Sequence, residues 1–217
     1  MCSIYKIDYA YKTNALREHF KGGKAVFTLP KMPIKCGGAP QKIMYLSEAT
    51  WRKSGVRKDC DIHFYTSVGN MFPNCQKYAD KLAKVVVEKN IDVHFKHVIK
   101  AVDGPNKRVT FATDDGDVTT DYDFLHVVPP QSCHPVFAPL AHKNTFIDVD
   151  AFTLRHKKYE NVFAVGDAAN APTSKTAAGA FSQAPVVVNN LTRQMENKSL
   201  NASYDGYGSC PLFTGDK

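Results

Sequence analysis

The strongest constraint on the fold is an alternation of two periodicities between residues 24 and 130. Ala25-Val-Phe-Thr-Leu29 reads as a short buried strand, and Pro30-Lys-Met-Pro33 breaks it. Ile34–Pro40 is a glycine-rich turn, and a helix is predicted from about Pro40 to Lys53, with proline at its start. Asp61–Thr66 is a strand, Lys77–Lys89 a periodic helix carrying Tyr78, Leu82, Val85 and Val86, and Ile91–Phe95 an alternating strand. Val98–Val102, Lys107–Ala112 and Val118–Tyr122 pattern as an antiparallel meander, and Phe124–Val128 as an apolar strand stopped by Pro129-Pro130. This order predicts an α/β fold: a Rossmann-like parallel sheet of the NAD-domain type with a small meander attached.

The flanks differ. Residues 1–23 are expected to hold a short helix, with Leu16 and Phe20 one turn apart, closed by Gly22-Gly23. Beyond 130, Phe146–Val149 and Val162–Val165 read as strands and Ala177–Met195 as a helix. The expected division is therefore 1–23, 24–130 and 131–217.

Composition excludes several classes. With 43% hydrophobic and 23% charged residues the chain is neither disordered nor fibrous. No apolar run is long enough to cross a bilayer. The net charge of +7 comes from scattered basic residues without any nucleic-acid motif, so no nucleic-acid partner is expected. The N-terminus has neither a secretory nor a transit-peptide pattern. Six cysteines, at 2, 36, 60, 75, 133 and 210, form no CxxC pair or zinc spacing, so no metal is expected and each is by default a small buried hydrophobe.

Three motifs can carry chemistry. In Tyr159–Asp167 a strand ends in Gly166-Asp167, and a helix opens near Lys175-Thr-Ala-Ala178. A carboxylate there can accept hydrogen bonds from sugar or ribityl hydroxyls, and the helix N-terminus favours negative charge or an electron-rich ring edge. The plainer reading is an aspartate that helps cap a helix. In Lys35-Cys36-Gly-Gly-Ala-Pro40 a cysteine lies before a helix start and beside a lysine, both of which favour the thiolate; a structural cysteine in a tight turn is equally compatible. The glycines miss the G-x-G-x-x-G spacing of a nicotinamide-binding turn, so NAD binding is not expected. Tyr204-Asp-Gly-Tyr-Gly-Ser-Cys210-Pro-Leu also places a cysteine in a glycine-rich loop; alone, it reads as a turn.

The run ending in Gly166-Asp167, with its small-residue helix, resembles the second flavin motif of the two-dinucleotide-binding-domain flavoproteins. Taken in order, Lys35-Cys-Gly-Gly-Ala-Pro-Gln-Lys-Ile-Met-Tyr-Leu-Ser-Glu48, His126-Val-Val-Pro-Pro130, Val165-Gly-Asp167, Pro172-Thr-Ser-Lys-Thr-Ala-Ala178 and Tyr204–Leu212 resemble the eukaryotic sulfide:quinone oxidoreductases. The resemblance runs from about Leu16 to Gly215. It implies FAD as cofactor, with Asp167 on the ribityl chain and Lys175, Thr176, Ala177 and Ala178 facing the flavin ring.

It also implies that Cys36 and Cys210 meet near the flavin as a disulfide or sulfur-bridged pair. Hydrogen sulfide attacks the sulfur of Cys210 and leaves a persulfide; Cys36, released as thiolate, passes electrons to FAD and thence to ubiquinone. Sulfite or glutathione takes the sulfur. Family resemblance points to the mitochondrial inner membrane. The family's N-terminal pyrophosphate loop and its C-terminal region for membrane and quinone do not match this chain. It is therefore expected to be a truncated form, the middle-to-C-terminal portion including part of the FAD domain. Two alternatives stand beside this: a non-catalytic remnant or interaction protein, and an NADH-dependent flavoprotein.

Overall fold

A computed structural model describes residues 1–73, 75–143 and 145–215. It divides into two compact units. The first comprises Met1–Met32, Gly38–Pro129 and the segment from Leu212 on; the second comprises Pro33–Gly37 and Pro130–Pro211.

The first unit is built on a four-stranded parallel sheet: β1 (Gly23–Leu29), β2 (Cys60–Thr66), β3 (Ile91–His94) and β7 (Phe124–His126), in the order β3-β2-β1-β7. β1 is central and its residues Ala25 to Leu29 are all buried, which is why it reads as a continuous apolar run rather than an alternating one. The helices α2 (Ala39–Lys53) and α3 (Gln76–Glu88) connect β1 to β2 and β2 to β3. The meander is β4 (Val98–Asp103), β5 (Arg108–Thr113) and β6 (Gly116–Asp121), antiparallel in sequence order. Val26, Tyr65, Val109, Phe111, Tyr122 and Leu125 form one buried cluster, so the meander and the parallel sheet share a core.

Several sequence expectations shift here. The N-terminal helix α1 covers only Ile7–Glu18; Leu16 is 38% exposed, and Phe20, beyond the helix, supplies the packing against Trp51 (ring centroids 4.8 Å apart). Before α1, Cys2 bridges in parallel to His126, extending the sheet past β7. On α3, Ala79, Leu82 and Val86 form the buried stripe, whereas Tyr78 is exposed and meets Phe72 edge-on. On α2 the sequence pattern did not reveal Glu48. It is fully buried, yet its carboxylate meets Lys89 Nζ at 2.7 Å, Arg57 Nε at 3.6 Å and the Arg52 guanidinium. Such a charge is tolerable in the core only because it is paired.

The second unit contains a two-stranded ladder, β8 (Ala141–His142) with β9 (Phe146–Ile147), and the long helix α4 (Ala177–Met195). Ile147, Val149, Leu154, Ala164, Ala169 and Tyr204 form its core. The two strands expected here are mostly not ladders. Phe146–Val149 pairs over two residues, and Val162–Val165 is reduced to a single bridge between Phe163 and Arg155. Two hydrogen bonds make that bridge: His156 N–H donates to Val162 O at 2.8 Å and Ala164 N–H to Leu154 O at 3.2 Å. Apolar alternation made these segments look like strands, but it supplies no partner strand.

Candidate functional site

The site is built within the second unit, from three segments far apart in sequence. The first is the Cys36 turn. Cys36 adopts φ +43°, a left-handed conformation that costs a non-glycine residue roughly 1 kcal/mol. Hydrogen bonds hold it there: Cys36 N–H donates to Lys175 O at 2.6 Å, and Lys35 N–H to Gln131 Oε1 at 2.8 Å. Strain maintained this way is characteristic of functional positions.

The second segment is the loop of Cys210. Tyr204 anchors it: its side chain is buried, its N–H donates to Phe152 O at 2.8 Å, and its hydroxyl reaches Thr173 Oγ1 at 3.2 Å and Tyr207 O at 2.5 Å. Asn190 of α4, fully buried, adds four bonds. Its Nδ2 donates to Thr153 O and Ala202 O, and its Oδ1 accepts from Asn201 and Ala202 N–H. These anchors bring Cys210 Sγ to 2.9 Å from Cys36 Sγ, across 174 residues of sequence. A disulfide needs about 2.0 Å, so a small movement separates this contact from a covalent bond.

The third segment runs from Gly166 to the start of α4. Gly166-Asp167-Ala168 form a 3-10 turn rather than a strand end, and the Asp167 side chain is exposed. Gly166 has φ +66°, and a Cβ there would lie 3.3 Å from Ala180 Cβ, so a side chain would bring backbone strain and a tight contact. Its N–H donates to Oε1 of buried Gln183 at 2.7 Å. Thr176 is the N-cap of α4, accepting from Gly179 N–H at 3.0 Å. The N–H groups of Ala177 and Ala178 find no partner among the described residues.

Lys175 proves unusual. It is only 6% exposed, its ammonium donates to Ala169 O and lies 3.9 Å from the centre of the Phe146 ring. Burial pulls it down from 10.5 to about 8, with the charges of Asp167 and Cys133 pushing the other way. The structure therefore gathers Cys36 with Cys210, and Lys175 with Thr176, Ala177 and Ala178. The sequence reading missed Gln131, Gln183 and Asn190, because a polar residue in an otherwise ordinary pattern signals its partner only once the chain is folded.

No protein-family model matches the chain. A mitochondrial sulfide:quinone oxidoreductase of Dictyostelium discoideum is 43% identical over 98% of the chain, which covers 48% of that protein. The chain is homologous to part of the mitochondrial sulfide:quinone oxidoreductases. It spans about half the length of the curated relatives it matches. Among solved structures, a chain of the Tetrahymena thermophila mitochondrial ATP synthase F1Fo tetramer aligns at TM-score 0.79 and 28% identity, covering 92% of this chain and 49% of that one. The sulfide:quinone oxidoreductase of Aquifex aeolicus aligns at TM-score 0.73 and 18% identity, covering 90% and 50%, and shows the shared fold.

Proposed function

We propose that the chain is the sulfur-handling part of a mitochondrial flavoprotein that oxidises hydrogen sulfide, with Cys36 and Cys210 as its redox pair. The observation that carries this reading is the 2.9 Å contact between the two sulfurs. Homology at 40–43% identity supports the substrate class.

The residues fit FAD. The N–H groups of Ala177 and Ala178, which find no partner among the described residues, lie beside Lys175 and the N-cap Thr176 and suit an electron-rich ring edge, and Asp167 is exposed for ribityl hydroxyls. When bound, FAD supplies the two-electron acceptor. In the oxidised state the cysteines are joined. Sulfide attacks Cys210 Sγ, a sulfur–sulfur bond forms there, the Cys36–Cys210 bond breaks, and Cys36 leaves as thiolate with its electron pair. The outer sulfur of the persulfide passes to sulfite or glutathione, leaving Cys210 as thiolate; the two thiolates would re-form their bond by giving an electron pair to bound FAD, and that pair would pass to ubiquinone at the inner membrane. No helix among the described residues is long and apolar enough to cross a membrane. The α/β domain at 24–130 holds no nicotinamide nucleotide in this reading, and 131–217 contribute to the FAD domain.

A second reading, a non-catalytic interaction protein, is favoured by the likeness to a chain found in an ATP synthase assembly. One experiment separates the two. The protein is reconstituted with FAD, sulfide is added, and flavin absorbance is followed for wild type, Cys36→Ser and Cys210→Ser. Bleaching in the wild type, lost in both variants, is expected. A protein that takes up no FAD supports the interaction reading; wild-type bleaching rates in both variants overturn the cysteine mechanism.

A further inference from the structure

The first unit carries a second constellation of metal-ligating side chains that the sulfide chemistry does not use. β2 and β3 pair in parallel with His63 opposite Asp92 and Tyr65 opposite His94. Side chains two residues apart share a face of the sheet, so Asp61, His63, Asp92 and His94 project together. His63 Nδ1 lies 3.1 Å from His94 Nε2 and 3.9 Å from Asp92 Oδ2, while its Nε2 lies 2.8 Å from Asp61 Oδ2. Donor atoms of Asp61, His63 and Asp92 all fall within 4.8 Å of one another.

We propose that His63 Nδ1, His94 Nε2 and an Asp92 carboxylate oxygen form a binding site for a divalent metal ion of the zinc class, with Asp61 as its orienting partner. Asp61 accepts the Nε2–H of His63, which fixes that proton on Nε2 and leaves the Nδ1 lone pair pointing toward His94. A carboxylate behind a ligating imidazole performs this task in metal sites. Two nitrogens bound to one tetrahedral zinc stand roughly 3.3 Å apart, given bonds of about 2.0–2.1 Å. The observed 3.1 Å is close to that edge, and the Asp92 carboxylate stands 3.9 Å from His63 Nδ1 on a side chain that is 70% exposed. On binding, neutral His94 carries its proton on Nδ1, freeing Nε2 for the metal, and water fills the fourth position. The His94 ring is held in place: it stacks on Tyr65 (4.1 Å, 9°), which stacks in turn on Phe111 (4.1 Å, 6°). Two imidazoles with one carboxylate suit zinc or cobalt rather than magnesium or calcium.

The test is calorimetric titration of the full chain with Zn²⁺, repeated with Co²⁺ and read by visible absorption. One equivalent should bind, and Co²⁺ should show a tetrahedral spectrum without a sulfur-to-metal charge-transfer band. Asp92→Asn alters a side chain that is 70% exposed and should leave the fold intact; it should weaken binding at least tenfold. His94→Ala should abolish binding. Unchanged affinity in both variants, or a thiolate band in the Co²⁺ spectrum, overturns the proposal.

Discussion

Lys175 offers the sharpest quantitative test of the second unit. Its ammonium is 6% exposed and titrates at about 8 in the fold against 10.5 ordinarily. At 1.36 kcal/mol per tenfold, that gap amounts to about 3 kcal/mol by which the fold disfavours the charged lysine. Below pH 8 folded and unfolded chains are both protonated and this cost is fully present. Between 8 and 10.5 the unfolded chain binds a proton that the folded one does not, so stability rises with pH. Above 10.5 the cost is gone. Lys175→Met removes the titration together with the bond to Ala169 O and the contact with Phe146, so the pH-dependent part of the difference between the two proteins reports the lysine. Urea unfolding of both proteins at pH 7.5, 9 and 10.5, under reducing conditions, isolates the effect. The wild type should gain about 3 kcal/mol relative to Lys175→Met across that range. A difference that stays constant with pH would refute the buried-ammonium assignment. Functionally, an ammonium held at such cost beside a helix N-terminus favours an anionic or electron-rich partner, and a bound ligand of that kind should flatten the slope.

Two further outcomes follow from packing. Glu48→Gln should destabilise the first unit by about 3 kcal/mol or more, measured by chemical denaturation, because Lys89 and Arg57 lose the buried charge that pairs them. Gly166→Ala should cost about 1–2 kcal/mol in the same assay, since φ +66° strains an L residue and its Cβ would press on Ala180 at 3.3 Å, and should also weaken FAD uptake if the turn shapes the cofactor site.

The sheet, its helices and the meander were legible because each rests on local periodicity: Ala25–Leu29 as an apolar run, α3 as a helical stripe, β4 to β6 as alternating segments between turns. Residues 141–165 were not. Their alternation is strand-like, but a strand is only as long as the backbone that pairs with it, and here the pairing stops after one or two residues. Leu16 and Tyr78 misled for a related reason: periodicity says which residues share a face, while the neighbouring elements decide which face is buried.

The candidate site divides the same way. By itself the sequence determined the chemistry available, since only certain residue types can be nucleophile, cation, carboxylate or helix cap, and motif order tied Cys36, Asp167, Lys175 and Cys210 to one family. Only the tertiary structure decided who meets whom. It brought Cys36 and Cys210 to 2.9 Å, buried Lys175 against Phe146, and set His63 against His94 on adjacent strands although 30 residues separate them in the chain. Local propensity is written in neighbouring residues; contact between distant side chains depends on strand register and loop anchors, which exist only once the whole chain has folded.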